Sequence, residues 1–407
     1  MRKHHDLGLR RLLSRAGGFA VLLAVALLIA ACGGDDDSSS STGGSTAASS
    51  GSSGSGAKNL KVLTWETYHD KAWLDEFKQK TGIKVEATNV GSPAEMFAKV
   101  KANPGQFDIV LATAGWFKNY VEAGLLEPVD ESKAPNAANI KLGFPWKDAT
   151  SVDGKNYGIL YNWGDQPLAW LPDKLKGVDL SKYTNAQGVI DDWNVLWDPA
   201  VKGKVSVFDD PTSVEPMVPL ALGYKNPYQL NDQQFDAFTK KLNDLHPQVK
   251  RLTSGFDDQT AQFASGEATI GYLNNIASQT ALKKKGINMQ VNNLVKQGVP
   301  AWSDNYAITK EGGGKKLDAV YKFIDYTESL PWQARFIANS GNSGTLTYEQ
   351  ATTPDAQKAG LTKDKLAPTL IPATRDGDAF FSKMLFFQSV EDLQKRLNAW
   401  NEFKLGL

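Results

Sequence analysis

The sequence predicts an α/β protein of two lobes, each a mainly parallel sheet flanked by helices, with a ligand cleft between the lobes. The chain has 407 residues, of which 41% are hydrophobic, and this is enough for two domains of ordinary size. From residue 58 onward, short apolar segments alternate with amphipathic ones, which is typical of parallel α/β domains. Two such series follow one another, and clefts between lobes are common ligand sites.

The first series contains three strands, each followed by a helix. Residues 107–112 (FDIVLA) are continuously apolar after Asp108, as expected of a parallel strand covered on both faces. Ser92, Pro93 and Glu95 form a helix start with a capping box. The predicted strands cover 61–65, 83–87 and 107–112, and the predicted helices cover 72–80, a segment after Ser92, and 116–123.

The second series is less regular but has the same alternation. Strands are predicted at 204–208 and 268–273, and helices at 232–245 and 259–265. Two later helices are predicted at 316–329 and 390–403. Neither half contains a long repeat.

Charge and cysteine content exclude several classes of function. Lys and Arg total 45 and Asp and Glu total 45, which excludes nucleic-acid binding through a strongly basic surface as the main function. A single cysteine allows neither an intrachain disulfide nor a thiolate metal cluster. Only His69 and His246 follow the leader, so we expect no metal, no cofactor and no catalytic residue.

The first 31 residues have the features of an export signal. Basic residues extend to Arg15, and an apolar run of about 13 residues follows at 19–31, shorter than the ~20 needed for a permanent span. The segment 28–32 (LIAAC) resembles a bacterial lipobox, which implies diacylation of Cys32 as the mature N-terminus. We expect the general secretory route, although Arg10 and Arg11 leave twin-arginine export open.

Residues 32–57 combine this cysteine with a tether. Positions 33–56 consist of Gly, Ser, Thr, Ala and three Asp, which cannot bury a core. Such a chain spans about 25–30 Å. The leader and tether together predict a globular protein that is lipid-anchored at the outer face of the cytoplasmic membrane, in the periplasm or at the cell surface.

An ordered set of motifs in the globular part resembles the bacterial spermidine/putrescine-binding proteins, the solute receptors of ABC importers. The motifs are 64–68 (TWETY), 77–85 (FKQKTGIKV), 107–110 (FDIV), 124–130 (GLLEPVD), 157–164 (YGILYNWG), 193–203 (WNVLWDPAVKG), 266–268 (GEA) and 302–304 (WSD).

This resemblance implies a periplasmic-binding-protein fold of type II, with two lobes joined by two crossing strands and closing by a hinge. It places 58–165 and about 304–348 in lobe 1, and 166–303 and about 349–407 in lobe 2. The implied partners are a polyamine or related amine and the permease subunits of the importer. We expect a monomer that binds no nucleic acid and contacts the membrane through Cys32.

A polyamine site needs carboxylates for the ammonium groups and flat aromatic rings for the methylenes. Trp65 and Tyr68 follow the first strand at its carboxyl end, where α/β sheets bind ligands. The resemblance implies Asp304 as an amine-binding acid and Thr113 as a hydroxyl ligand. The full set of expected ligand-binding residues is Trp65, Glu66, Tyr68, Thr113, Asp210, Glu215, Tyr272, Trp302 and Asp304.

Several positions depart from the pattern of the polyamine family. Glu66 and Thr67 stand in reversed order, and Ser213 occupies the place of an acid, with Glu215 the nearest carboxylate. Asn274 replaces an expected aromatic residue, with Tyr272 close by, and Asn342 replaces a tyrosine. These departures leave open another cationic amine, an amino-acid derivative or a less charged solute.

Two further classes remain as alternatives. A sugar receptor of the same architecture would also suit the 11 tryptophans. An envelope hydrolase is disfavoured because the sequence contains no Gly-x-Ser-x-Gly elbow, no His-Glu-x-x-His and no P-loop. A purely structural lipoprotein would not need paired α/β lobes.

Overall fold

A computed structural model describes residues 58–370 and 380–407. The predicted signal peptide, Cys32 and the tether lie outside the described residues. The described strands form a seven-stranded sheet, a five-stranded sheet and a small hairpin. The predicted α/β architecture of sheets flanked by helices is confirmed.

The strands are β1 (Asn59–Thr64), β2 (Lys84–Asn89), β3 (Ile109–Thr113), β4 (Leu126–Glu127), β5 (Ser151–Val152), β6 (Lys155–Asn156), β7 (Ile159–Asp165), β8 (Leu168–Trp170), β9 (Val205–Phe208), β10 (Val249–Thr253), β11 (Ile270–Tyr272), β12 (Gln290–Asn292), β13 (Val299–Thr309) and β14 (Met384–Phe386).

The α-helices are α1 (Lys71–Thr81), α2 (Pro93–Ala102), α3 (Phe117–Glu122), α4 (Trp146–Thr150), α5 (Pro211–Val214), α6 (Met217–Ala221), α7 (Asp232–Asn243), α8 (Phe256–Ala264), α9 (Ala277–Lys284), α10 (Leu317–Thr327), α11 (Leu330–Ser340), α12 (Tyr348–Ala351), α13 (Pro354–Lys358) and, at the C-terminus, α14 (Leu393–Leu405).

Local sequence explains where the first helices begin and end. Asp70 caps α1 through its side chain, and Gly82 ends it in the left-handed conformation, with φ 76°. Ser92 caps α2 by accepting from the backbone N–H of Glu95, as the sequence predicts. The two N-caps fix where the loops after β1 and β2 end and where α1 and α2 begin.

The first sheet has the order β14-β13-β3-β1-β2, with β4 and β7 paired to β13. Strands β1, β2 and β3 are parallel, whereas β13 runs antiparallel to both β3 and β7. The second sheet has the order β10-β9-β11-β8-β12, in which β9, β10 and β11 are parallel and β8 is antiparallel.

The chain crosses between the two sheets twice. The first crossing lies between β7 and β8 and consists of Gln166 and Pro167, and the second lies between β12 and β13. Strand β13 is a long buried strand whose register places Asp304 opposite Thr113 of β3 and Asn162 of β7. The sheet thus brings three polar side chains from distant parts of the chain to one place.

Each large sheet has its own apolar core. Helices α10 and α11 contribute to the core of the first sheet through Phe323 and Trp332, whereas α14 contributes Trp400 and Phe403 to that of the second. Residues 346–370 pack in a separate cluster against α11. The lobe boundaries expected from the sequence stay a prediction.

Among the described residues, no helix has the length and apolar character needed to cross a bilayer. Within the same ranges, no group of three His, Cys, Asp or Glu side chains is placed to hold a metal ion.

Gly164 of β7 is required because the indole of Trp302 lies against it. A Cβ atom at position 164 would come 2.6 Å from Cζ2 of Trp302. The indole cannot simply move away, because its Nε1 donates to the carbonyl oxygen of Asn274 at 3.1 Å. We therefore expect Gly164→Ala to lower the free energy of unfolding by about 1–3 kcal/mol, measured by urea denaturation.

Gly105→Ala is the matched control, since its nearest neighbour would be Cβ of Glu311 at 4.0 Å. We expect this control to leave stability unchanged or slightly raised. Equal stability of the two variants would contradict the packing of Trp302 on Gly164.

Candidate ligand-binding cleft

A cleft opens between residues of the two sheets and has a cavity volume of about 80 Å³. On the side of the first sheet, the cleft is lined by residues 65–68, 90, 91, 93 and 113. On the side of the second sheet, it is lined by residues 208, 210, 213, 255, 256, 274 and 275. Trp302 and Asp304 of β13 complete the lining together with Phe387.

Asp304 is held between two hydroxyl groups. Its Oδ2 accepts from the Tyr68 hydroxyl at 2.5 Å, and its Oδ1 accepts from the Thr113 hydroxyl at 2.6 Å. The side chain is nearly buried, with 5% of the residue exposed. An ionised carboxylate has about four lone-pair sites, so two remain available after these bonds.

The environment of Asp304 disfavours its charged form. Burial raises the pKa of the Asp304 carboxyl to about 7, although the hydrogen bonds from Thr113 and Tyr68 act in the opposite direction. Burial and the neighbouring carboxylate together hold the pKa of Tyr68 well above its usual value, so the phenol stays protonated and donates. A cation at Asp304 would supply a countercharge, which none of the described lining residues provides.

A chain of amide side chains connects Asp304 to the second sheet. The Asn162 amide donates to the Tyr68 hydroxyl at 2.8 Å and to Oδ1 of Asn342 at 3.1 Å. Asn275 donates to the same oxygen of Asn342 at 2.7 Å. The carboxylate, the phenol and three asparagines therefore form one network that spans the cleft.

The loop after β1 places Trp65 and Glu66 on the cleft. The Trp65 indole N–H donates to the carbonyl oxygen of Leu111 at 3.0 Å, which orients the ring. Thr67 has φ 69°, an uncommon conformation for a β-branched residue. No described residue donates a hydrogen bond to the Glu66 carboxylate, which is half-buried.

The two walls approach each other closely at their rim. A Cβ atom at Gly91 would lie 2.9 Å from the carbonyl oxygen of Ser254, and one at Gly255 would lie 3.3 Å from Oε2 of Glu66. Glycine at positions 91 and 255 therefore permits the narrow opening.

Asp210 lies at the wall of the cleft but uses its oxygens within its own turn. It accepts from the backbone N–H and hydroxyl of Thr212 and from the hydroxyl of Ser213, at 2.5–3.3 Å. It is the N-cap of α5 and has no exposed surface. Burial is the main cause of its raised pKa.

Two of the expected ligand-binding residues do not line the cleft, which corrects their expected placement. Glu215 lies beyond α5 in a neighbouring cavity of about 30 Å³, where its Oε2 is 3.6 Å from the Arg396 guanidinium. Burial raises the pKa of Glu215 to about 8. The Tyr272 hydroxyl accepts from the backbone N–H of Phe208 at 3.0 Å and belongs to the second core.

The other expected residues do come together at the cleft: Trp65, Glu66, Tyr68, Thr113, Asp210, Trp302 and Asp304. Phe208, Phe256 and Phe387 also line the cleft and were not predicted from the sequence. Asn274 and Asn342 were noticed only as departures from a family pattern, and this was the signal that could have identified the amide network.

The charged side chains among the described lining residues are all acidic. The lining contains the carboxylates of Glu66, Asp210 and Asp304, and none of the lining residues that the structure describes is Lys, Arg or His. His69 instead packs among aromatic rings and hydrogen-bonds Thr64 and Tyr306, and burial lowers its pKa to about 3. Six aromatic rings lie beside the three acids: Trp65, Tyr68, Phe208, Phe256, Trp302 and Phe387.

Comparisons with known proteins agree with this architecture. The chain is 27% identical over 278 residues to the putrescine-binding periplasmic protein SpuD of Pseudomonas aeruginosa, covering 66% of this chain and 73% of the relative. It is 28% identical over 268 residues to spermidine/putrescine-binding periplasmic protein 1 of Haemophilus influenzae, covering 65% and 69%.

Solved structures share the fold. A putative spermidine/putrescine ABC transporter protein of Listeria monocytogenes has a TM-score of 0.68 at 22% identity, covering 86% of this chain and 99% of its own. The binding protein MotA of Agrobacterium tumefaciens, solved in complex with glucopine, has a TM-score of 0.65 at 15% identity, covering 85% and 99%.

The family model of the bacterial extracellular solute-binding proteins matches residues 72–368, which is most of the chain. The residues that it matches include both crossings between the sheets and all but five of the cleft-lining residues. This chain belongs to the bacterial extracellular solute-binding protein family and has its two-lobed type II fold.

Proposed function

We propose that this protein captures a small organic amine, of the polyamine class that includes putrescine and spermidine, and delivers it unchanged to an ABC importer. The observation that carries the proposal is the charge of the cleft. Three carboxylates and six aromatic rings line it, and no cationic side chain does among the described residues. An alkylammonium ion matches both features.

The electrostatic argument centres on Asp304. A buried carboxylate without a countercharge is unfavourable, as its pKa of about 7 indicates. An ammonium group beside Asp304 would supply that charge and donate to the lone pairs that Tyr68 and Thr113 leave open. The methylenes would then lie against the rings of Trp65 and Trp302, and cation–π attraction between the ammonium group and a ring face would add about 0.5–2 kcal/mol per contact.

The names of the relatives support an amine without deciding which one. Proteins named for binding putrescine or spermidine match at 25–28% identity, whereas fold neighbours were solved with agropinic acid and with glucopine. A sugar or an amino-acid-derived compound is therefore the alternative. Aromatic rings also suit sugar faces, so the test is whether binding requires the charge of Asp304.

We further propose that the mature protein is a monomer anchored through lipidated Cys32 at the outer face of the cytoplasmic membrane, and that it is not an enzyme. The lipid anchor is supported by the sequence of the leader, the lipobox-like 28–32 segment and the tether. Two or three acyl chains would hold the domain stably, whereas one chain would not.

Replacing Asp304 by Asn should weaken amine binding and preserve the fold. Asn keeps the size of the side chain and can accept from Tyr68 or Thr113, but it removes the charge. Loss of a charge-assisted hydrogen bond costs about 1.5–3 kcal/mol, so the Kd for putrescine or spermidine should rise about tenfold to a hundredfold in calorimetric titrations.

Glu215→Gln is the matched control, because it makes the same carboxyl-to-amide change at a nearby buried residue outside the cleft. We expect it to bind amines as the unmodified protein does, with folding of both variants checked by thermal melting. Equal affinities of the Asp304→Asn and unmodified proteins would contradict the proposal. Measurable binding of a sugar, with no measurable binding of any amine, would favour the sugar receptor.

Replacing Cys32 by Ala should release the protein from the membrane. Cys32 is the only cysteine in the sequence, so without its thiol the variant should incorporate no labelled palmitate and should move to the soluble fraction of the envelope. Cys32→Ala that stays membrane-bound and labelled would show that the anchor lies elsewhere. Ligand affinity of the purified domain should be unaffected.

A further inference from the structure

The carboxylate of Glu66 lies against the opposite wall of the cleft. Glu66 follows β1 of the first sheet, whereas Gly255 follows β10 of the second. A Cβ atom at Gly255 would nevertheless lie 3.3 Å from Oε2 of Glu66 and 3.6 Å from its Oε1. No described residue donates a hydrogen bond to this half-buried carboxylate. Glu66 therefore reaches from one wall to the other with both acceptor oxygens unused by the described residues.

The helix that begins at this point has no cap of its own. Gly255 is the N-cap residue of α8, and no described side chain accepts a hydrogen bond from the N–H groups of the first turn. Free N–H groups at a helix N-terminus carry a partial positive charge, which favours a nearby carboxylate. The first sheet thus places a carboxylate beside an uncapped helix terminus of the second.

The two acids in the first turn of α8 do not serve as its cap. Asp258 accepts from the Arg251 guanidinium at 2.8 and 3.0 Å and from the backbone N–H of Ser254 at 2.9 Å. The ion pair with Arg251 offsets the charge of Asp258. Asp257 is exposed and makes no hydrogen bond to α8. The first-turn N–H groups therefore stay available to an acceptor from the opposite wall.

A second close approach lies next to this one on the rim. Gly91 follows β2 of the first sheet, and a Cβ atom there would lie 2.9 Å from the carbonyl oxygen of Ser254. Residues 66 and 91 of one wall therefore meet residues 254 and 255 of the other. The rim is narrow where the carboxylate faces the helix.

We propose that Glu66 is a latch between the two walls: when the cleft closes on its ligand, the carboxylate accepts from the first-turn N–H groups of α8 and holds the closed form. Glu66 is then a positioning residue, which acts through α8 and not by contact with the ligand, while Asp304 holds the cation. The inference rests on the proposed function, because closure retains the ligand of the same cleft. The latch itself does not depend on which solute is bound.

A double-mutant cycle on the rate of ligand release tests the latch. Glu66→Ala removes the acceptor, so putrescine or spermidine should dissociate about threefold to tenfold faster in stopped-flow measurements. Gly255→Ser gives α8 its own cap, because residue 255 has the extended backbone of an N-cap and the flexible Glu66 side chain can move away from the new Cβ. Gly255→Ser alone should also speed release, since its hydroxyl takes an N–H group that Glu66 would use. Adding Glu66→Ala to Gly255→Ser should change the rate no further.

Direct contact between Glu66 and the ligand would give a different result. The full effect of Glu66→Ala would then persist in the Gly255→Ser background, and this outcome would overturn the latch. An unchanged release rate in Glu66→Ala would overturn it as well. Glu349→Ala is the matched control, because it removes an exposed carboxylate from the first turn of α12, outside the cleft, and should leave the rate unchanged. Thermal melting checks that each variant folds.

A distance measurement on the ligand-free protein separates this inference from the proposed function. Spin labels at Lys84→Cys on β2 and Ala261→Cys on α8 report the separation of the two walls by pulsed electron paramagnetic resonance. The background is the Cys32→Ala protein, which has no other cysteine. Because the latch favours the closed form, adding Glu66→Ala should shift the distance distribution to longer values.

The two readouts give distinguishable failures. An unchanged distance distribution in Glu66→Ala would overturn the latch even if amines bind to the cleft. A shift to longer distances in a protein that binds no amine would support the latch and overturn the proposed function.

Discussion

The site depends on one constraint, which is that Asp304 is a buried carboxylate in the middle of a strand. Strand β13 places it between β3 and β7, where Thr113 and Tyr68 donate to it and none of the described lining residues carries a positive charge. The sheet fixes the position of the acid before any ligand arrives. A cation is then the simplest partner that removes the cost of burying the charge.

The same strand joins ligand chemistry to the relative position of the two sheets. Trp302 precedes Asp304 by two residues, packs on Gly164 of β7 and donates to the backbone of Asn274 in the second lobe. The network through Tyr68, Asn162, Asn342 and Asn275 makes a second connection. A ligand that binds Asp304 therefore contacts the elements that would move if the lobes opened about the crossings.

The sequence predicted most of the fold because periodicity and caps are local properties. The segments at 61–65, 83–87 and 232–245 were recognised within a few residues of β1, β2 and α7. It did not predict β13 as a strand or the pairing of Asp304 with Thr113, because those depend on contacts between residues 191 positions apart. Glu215 was expected in the cleft as the carboxylate nearest to Ser213, which stands where the polyamine family has an acid, but one short helix is enough to turn it into another cavity.

The most direct measurement is the pKa of the Asp304 carboxyl, followed by carbon NMR in the free protein and with a bound amine. In the free protein, burial should hold it at about 7, well above the ordinary value for aspartate. A bound ammonium group favours the ionised form, so the pKa of the complex should fall by at least one unit. A free-state pKa near 4, or a value that the amine leaves unchanged, would contradict the assignment of Asp304 as the group that holds the cation.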